Sequence, residues 1–291
     1  MSRVFVLGNA SLDTILRVQR LPQPGETLIA SAITRTPGGK GFNQAAVIAR
    51  AGVSTHFCAA LGNEPEAERI WVAAHAEHFA ALHFIDVGQP TDLSTILVAP
   101  DAENVIISTG ACAEALSPAT ADDFVNPMTE DDILLVQGNL SEVATRAAAQ
   151  NSVRVVFNAA PLRWPPEHVI AHCNVVIANQ IEAEQITGLS NPAQAAQALG
   201  APINIVTLGA KGCIVADATG LIAYPAVKTQ AIDTTGAGDT FTAVFTAALA
   251  RRLPIARAIE AAQYAAALTV ERAGCYAALP TKDELEIILA K

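Results

Sequence analysis

Asp239 lies in the run Asp233-Thr234-Thr235-Gly236-Ala237-Gly238-Asp239-Thr240-Phe241, and the apolar residues that follow (Phe241, Val244, Phe245, Ala248, Leu249) repeat with helical spacing. Two glycines around one small residue at a helix start leave backbone N–H groups unshielded. First-turn N–H groups lack intrahelical partners and the macrodipole is positive there, so such a turn holds an anion. A carboxylate beside that hole is the arrangement of a general base next to a phosphoryl group. The plainer alternative is a Gly-rich N-cap with an acid in the first turn, common among α/β proteins.

Four other groups could take part in the same chemistry. Gly38-Gly39-Lys40-Gly41-Phe42-Asn43 precedes a helix, bringing backbone, a charge and an amide to a ligand, unless it is only a flexible crossover. Asp13, in a strand just after Gly8-Asn9-Ala10-Ser11, can accept two vicinal hydroxyls, or is simply an exposed strand acid. Asn179 can cap a helix, and Glu182 one turn on can reach a phosphate-bound magnesium through water. Thr207-Leu208-Gly209-Ala210-Lys211-Gly212 closes a strand, either as a ligand loop or as the tight turn of a hairpin.

The elements that must position these groups follow from the apolar runs. Arg3–Gly8 reads as a buried first strand, with further strands over 12–18 and 26–35 and no helix between them, hence antiparallel neighbours. A helix over 44–50, a strand over 54–61 and a helix over 66–80 follow. Strands over 94–99 and 104–109 form a hairpin through Pro100-Asp101-Ala102-Glu103. From Ser117 onward helices alternate with apolar strands at 133–137, 153–158, 175–178 and 203–208, which implies a parallel sheet with right-handed crossovers. A late hairpin (211–216 and 220–225) and two long helices (240–251 and 255–271) complete the pattern. The expected fold is a doubly wound, Rossmann-like, mostly parallel α/β core (residues 1–11, 37–91 and 110–291) carrying a small antiparallel sheet (12–36 and 92–109). Open α/β sheets bind ligands beyond the carboxyl ends of their strands, so a sheet placed there is a lid.

Taken in order, the four glycine- and asparagine-bearing motifs closely resemble the ribokinase branch of the PfkB carbohydrate kinases, from Val6 to Pro280. The resemblance implies transfer of the ATP γ-phosphate to a sugar hydroxyl, with magnesium, between a core and a β lid. It makes Asp239 the catalytic base and the N–H groups of Gly236, Ala237 and Gly238 the anion hole. It gives Ser11, Asp13, Gly38, Gly39, Lys40, Asn43 and Asn139 to the sugar. Asn179, Glu182, Thr207, Gly209, Lys211, Gly212 and Gln263 go to the nucleotide and its metal-bound water. A monovalent cation, usually potassium in the family, falls to Asp233, Thr235, Thr269, Arg272 and Gly274, mostly through backbone carbonyls. Three positions depart from the family pattern. Ser11 replaces an asparagine that touches the sugar, Asn139 replaces a glutamate near it, and Ala278 stands where a serine often assists the cation. The expected activity is therefore an ATP-dependent sugar kinase with ribose as first candidate. A nucleoside kinase is the alternative within the family, and an idle sugar- or nucleotide-binding protein the alternative outside catalysis. Retention of Asp239, Lys40 and Glu182 argues against the idle form.

Composition sets outer bounds. A chain of 291 residues, 51% hydrophobic, can bury a large core. The net charge of −10, without any lysine–arginine cluster, argues against nucleic acid and anionic membrane as partners. Five widely spaced cysteines among apolar neighbours suggest reduced thiols and a cytoplasmic protein. An apolar exposed lid sheet that pairs with another lid would make a homodimer.

Overall fold

The computed structural model describes residues 2–100 and 104–290. Nine strands make one sheet: β1 (Val4–Leu7), β4 (Thr55–Ala60), β5 (Ala81–Ile85), β8 (Ile133–Gln137), β9 (Val155–Asn158), β10 (Val175–Asn179), β11 (Ile203–Thr207), β12 (Cys213–Asp217) and β13 (Gly220–Tyr224). Their order is β13-β12-β11-β10-β9-β8-β1-β4-β5, parallel except for the β12–β13 hairpin at one edge. A second sheet holds β2 (Ser11–Arg17), β3 (Ala32–Gly38), β6 (Asp92–Val98) and β7 (Asn104–Ser108), in the order β3-β2-β6-β7. The helices are α1 (Lys40–Arg50), α2 (Pro65–Ala76), α3 (Ala111–Glu114), α4 (Pro118–Val125), α5 (Glu142–Gln150) and α6 (Glu167–Ile170). They continue with α7 (Gln180–Thr187), α8 (Pro192–Ala198), α9 (Ala237–Ala250), α10 (Ile255–Val270) and α11 (Lys282–Ala290).

A β-strand points successive side chains to opposite faces, so a strand covered on both sides is apolar throughout. β1 does this: Val4 and Val6 enter one apolar layer with Phe42, Phe241 and Phe245, while Phe5 and Leu7 enter the other with Phe124 and Phe157. Truncating a fully buried ring such as Phe245 to alanine costs about 3–5 kcal/mol. Chain order reverses at β1, whose neighbours are β4 on one side and β8 on the other. That reversal opens a crevice past the carboxyl ends of β1 and β8. α9 packs on α1 and on both of these strands, so its N-terminus faces the crevice.

Four expectations change. The third strand begins at Ala32, not Glu26, because Glu26 is held by Arg20 (2.6 Å) in a loop, and it runs on to Gly38. The helix expected over 66–80 stops at Ala76, and Ala81–Ile85 adds an unexpected edge strand, β5. The lid sheet is mixed: β2–β3 and β6–β7 are antiparallel, but the central pair β2–β6 is parallel, with Ser11 opposite Asp92. Of the turn expected at Pro100-Asp101-Ala102-Glu103, residues 101–103 lie outside the described residues. The lid strands present two distinct faces. Asp13, Ser94 and Ser108 share one, and Ile33, Leu93, Val105 and Ile107, all more than a third exposed, share the other.

Candidate active site

Gly236 caps α9 at φ 80°, a left-handed conformation that glycine adopts without strain. The Ala237 N–H makes only a long bond back to the Thr234 carbonyl (3.4 Å), and the space beside Gly238 at this helix start is open. Asp239, in the same turn, is 6% exposed. Its carboxylate meets three side chains from the first two turns of α1, where residues three and four apart share a face. Lys40 Nζ lies 3.7 Å from Oδ1, Gln44 Nε2 donates to Oδ1 at 3.0 Å, and Asn43 Nδ2 donates to Oδ2 at 3.3 Å. Asp239, with Glu182 and the Cys275 thiol adding to it, holds the Lys40 ammonium above its ordinary range against desolvation. Asn43 also donates to Cys275 Sγ (3.2 Å), while its own Oδ1 is buried with no partner among the described residues. A buried acceptor left unpaired costs free energy unless a ligand satisfies it.

The lid brings Asp13 to the same place. Burial pushes its carboxyl up to about 6, although hydroxyls of Ser11 (3.0 Å) and Ser94 hydrogen-bond it. A Cβ at position 38 would overlap this carboxylate, which is why the lid strand β3 ends in glycine there. Asn139 sits half-buried just past β8 with Oδ1 unpartnered, and Arg163 donates to its carbonyl oxygen at 2.8 Å.

The nucleotide candidates lie along the ends of β10 and β11, where Asn179 pairs with Thr207. Asn179 and Glu182 form a capping box on α7: Glu182 N–H donates to Asn179 Oδ1 (2.9 Å), and Asn179 N–H donates to Glu182 Oε2 (2.8 Å). Desolvation moves the Glu182 carboxyl upward, opposed by the Asn179 N–H and Lys40. Gly209, Ala210 and Lys211 form a 3₁₀ turn that Gly212 closes. Gln263 is different: its amide nitrogen donates to Tyr224 O (3.2 Å), tying α10 to the edge hairpin.

Of the cation candidates, Asp233 joins its own loop to the loop that follows α10. Asp233 Oδ1 accepts the Thr235 N–H and Oδ2 accepts the Gly274 N–H, each at 2.9 Å. Both carboxylate oxygens thus hold backbone, which orients the carbonyls of the two segments. Thr269 is buried with its hydroxyl on the Ala265 carbonyl (3.0 Å), and the Arg272 guanidinium pairs with Glu284, while the cation expectation for both concerns their backbone carbonyls. Ala278 is fully buried.

The sequence reading did not single out Gln44, Asn158 or Ser94 as site residues. Gln44 follows the glycine-lysine motif one turn after Lys40, and Gln137 and Asn158 each close an apolar strand at its carboxyl end, beside the crevice. A polar residue at that position is the signal that could have found them.

The model of the pfkB family carbohydrate kinases matches residues 1–282. This chain belongs to that family. It is 30% identical to the ribokinase of Lactococcus lactis, covering 98% of this chain and 96% of that protein. It is 31% identical to the ribokinase of Haemophilus influenzae, covering 96% and 95%. Among solved structures, ribokinase from Thermotoga maritima superposes over all of both chains with TM-score 0.88 and 27% identity. Arabidopsis thaliana ribokinase complexed with ribose and ATP gives 0.85 and 26%, again over all of both chains. The motifs that the family resemblance rested on therefore sit in a carbohydrate-kinase fold along the whole chain.

Proposed function

We propose that this carbohydrate kinase transfers the γ-phosphate of ATP to a hydroxyl of ribose. The observation that carries the reading is the meeting of Asp239, under an open helix N-terminus, with the lid's Asp13 and the unpartnered Asn43 Oδ1 in one crevice. Asp13 and Asn43 hold the sugar through its hydroxyls. Asp239 accepts the proton of the attacking hydroxyl, which is a poor nucleophile without a base in reach. The N–H groups of Gly236, Ala237 and Gly238 take up charge on the transferring phosphoryl, and Lys40 adds a positive charge beside it. The lid excludes water, the competing acceptor. Glu182, with one oxygen in the capping box, would use the other to hold the water of a magnesium ion, and Asn179 and the 207–212 loop would border the nucleotide. Magnesium would supply neutralisation of the phosphate charge. Asp233, Thr235 and Gly274 offer backbone carbonyls to potassium, whose signature is activation over a bulky organic cation at constant ionic strength. The apolar outer face of the lid supports a homodimer through paired lids. Five free, buried cysteines support a reducing, cytoplasmic setting. A coupled ADP-release assay across pentoses, ketohexoses and nucleosides tests the reading: ribose-dependent ADP release is expected, and preference for a nucleoside, or no turnover with any sugar, overturns it.

A further inference from the structure

Behind Asp239 runs a chain of buried amides. Gln44, fully buried, donates through Nε2 both to Asp239 Oδ1 and to Asn158 Oδ1, each at 3.0 Å. Its Oε1 accepts from Gln137 Nε2 at 2.8 Å, and Asn158 Nδ2 donates to the Ile177 carbonyl at 3.2 Å. Turning the Gln44 amide over would set its oxygen against a carboxylate, another amide oxygen and no donor, so the network allows a single orientation. The three amides come from α1, β8 and β9, and the chain ends on the backbone of β10, all parts of the rigid core.

We infer that Gln44 is a positioning residue that fixes which oxygen of Asp239 accepts the proton. Oδ1 is occupied by the Gln44 amide and lies nearest the Lys40 ammonium. Among the described residues Oδ2 has only the longer bond from Asn43, whose amide is shared with Cys275. Oδ2 is therefore the oxygen left for the substrate hydroxyl, and Gln44, itself held by Gln137, keeps the carboxylate from rotating. The inference rests on Asp239 being the base. The other charged or titratable groups around that carboxylate are Lys40, Glu182 on α7, Asp13 on the lid and the Cys275 thiol.

Three variants of the full-length enzyme test it. Gln44→Leu keeps the bulk but removes the donor. Its kcat should fall about 10- to 100-fold, the range for losing one hydrogen bond to a charged group. Its KM for ribose should change less than threefold, and the acid limb of kcat should move to higher pH because the charged form has lost a donor. Gln44→Glu, nearly isosteric, sets a second acid against the first and should move that limb upward further. Gln137→Met should lower kcat less than Gln44→Leu does, and should add nothing when combined with it. A Gln44→Leu or Gln44→Glu enzyme with wild-type kcat and an unmoved acid limb overturns the inference, as does full additivity with Gln137→Met. Asp239→Asn separates the two readings: if it turns over normally, the base assignment has failed, whereas its loss with normal Gln44 variants removes only the positioning role.

Discussion

The crevice is closed by two carboxylates held in opposite ways. Asp239, on the core, faces one ammonium and two amide donors, all from α1, and a further amide chain reaches behind it to three strands. Asp13, on the lid, is hydrogen-bonded by the hydroxyls of Ser11 and Ser94, and burial, with the Asp239 charge adding to it, brings its titration to about 6. The donors around the first come from the protein itself. The charge of the second is favoured once a ligand supplies donors. On the proposed reading Asp239 carries the rate, while Asp13 on the lid and Asn43 on α1 hold the sugar.

The sharpest way to break this division is Asp239→Asn. It should lower kcat by ~10²–10⁴-fold, the range for removing a general base, with sugar and ATP affinities retained in calorimetry. A variant that lost sugar affinity as steeply as rate would make Asp239 a sugar-holding residue as well as the base. Asp13→Ala should do the reverse, weakening ribose binding by about 10- to 100-fold as hydrogen bonds to a charged group are lost. ATP affinity should hold, and equal losses for both ligands would contradict the division.

The pH dependence sharpens the same point. Asp13 holds hydroxyls as a carboxylate, and sugar donors favour that charged form. Affinity is therefore complete above about pH 6 and is lost as pH falls through it. The KM for ribose should rise about tenfold by one unit below that value, while the KM for ATP stays flat. A parallel rise in both would trace the effect to another group. The smallest effect concerns selectivity. On the proposed reading Ser11 and Asn139 offer less reach and charge than the family pattern, a difference that bridging water would partly restore. Ser11→Asn with Asn139→Glu should improve discrimination of ribose from other pentoses by only a few-fold in kcat/KM. A wild-type enzyme that already prefers ribose by several hundredfold would show that these positions do not set specificity.

The core was legible in the sequence because burial on both faces writes itself as unbroken apolar runs, as in Val4–Leu7 and Ile133–Gln137. β5 was not, since Ala81-Leu82-His83-Phe84-Ile85 is an edge strand with a polar residue at its centre and no fully buried position. The parallel β2–β6 pairing joins Ser11 to Asp92, and no local pattern encodes a partner that remote. The same reason divides the candidate site. Residues of contiguous motifs, such as Lys40, Asn43 and Asp239, were visible individually, whereas the Gln44–Gln137–Asn158 chain exists only once α1, β8 and β9 are side by side. Gln263 and the Asn179–Glu182 box show the converse, with side chains picked for a ligand partly used to hold the fold.

The attachment of the lid has a mechanical consequence. Only Gly8, Asn9 and Ala10 separate β1 from β2, and Gly39 alone separates β3 from α1. The two crossings are also laced together, for Asn9 accepts the Phe42 N–H through its carbonyl (3.0 Å) and the Gly41 N–H through its side chain (3.2 Å). Lys40, the first residue of α1, follows Gly39 directly, so a displacement of β3 at this tether would be passed to the ammonium beside Asp239 within two residues.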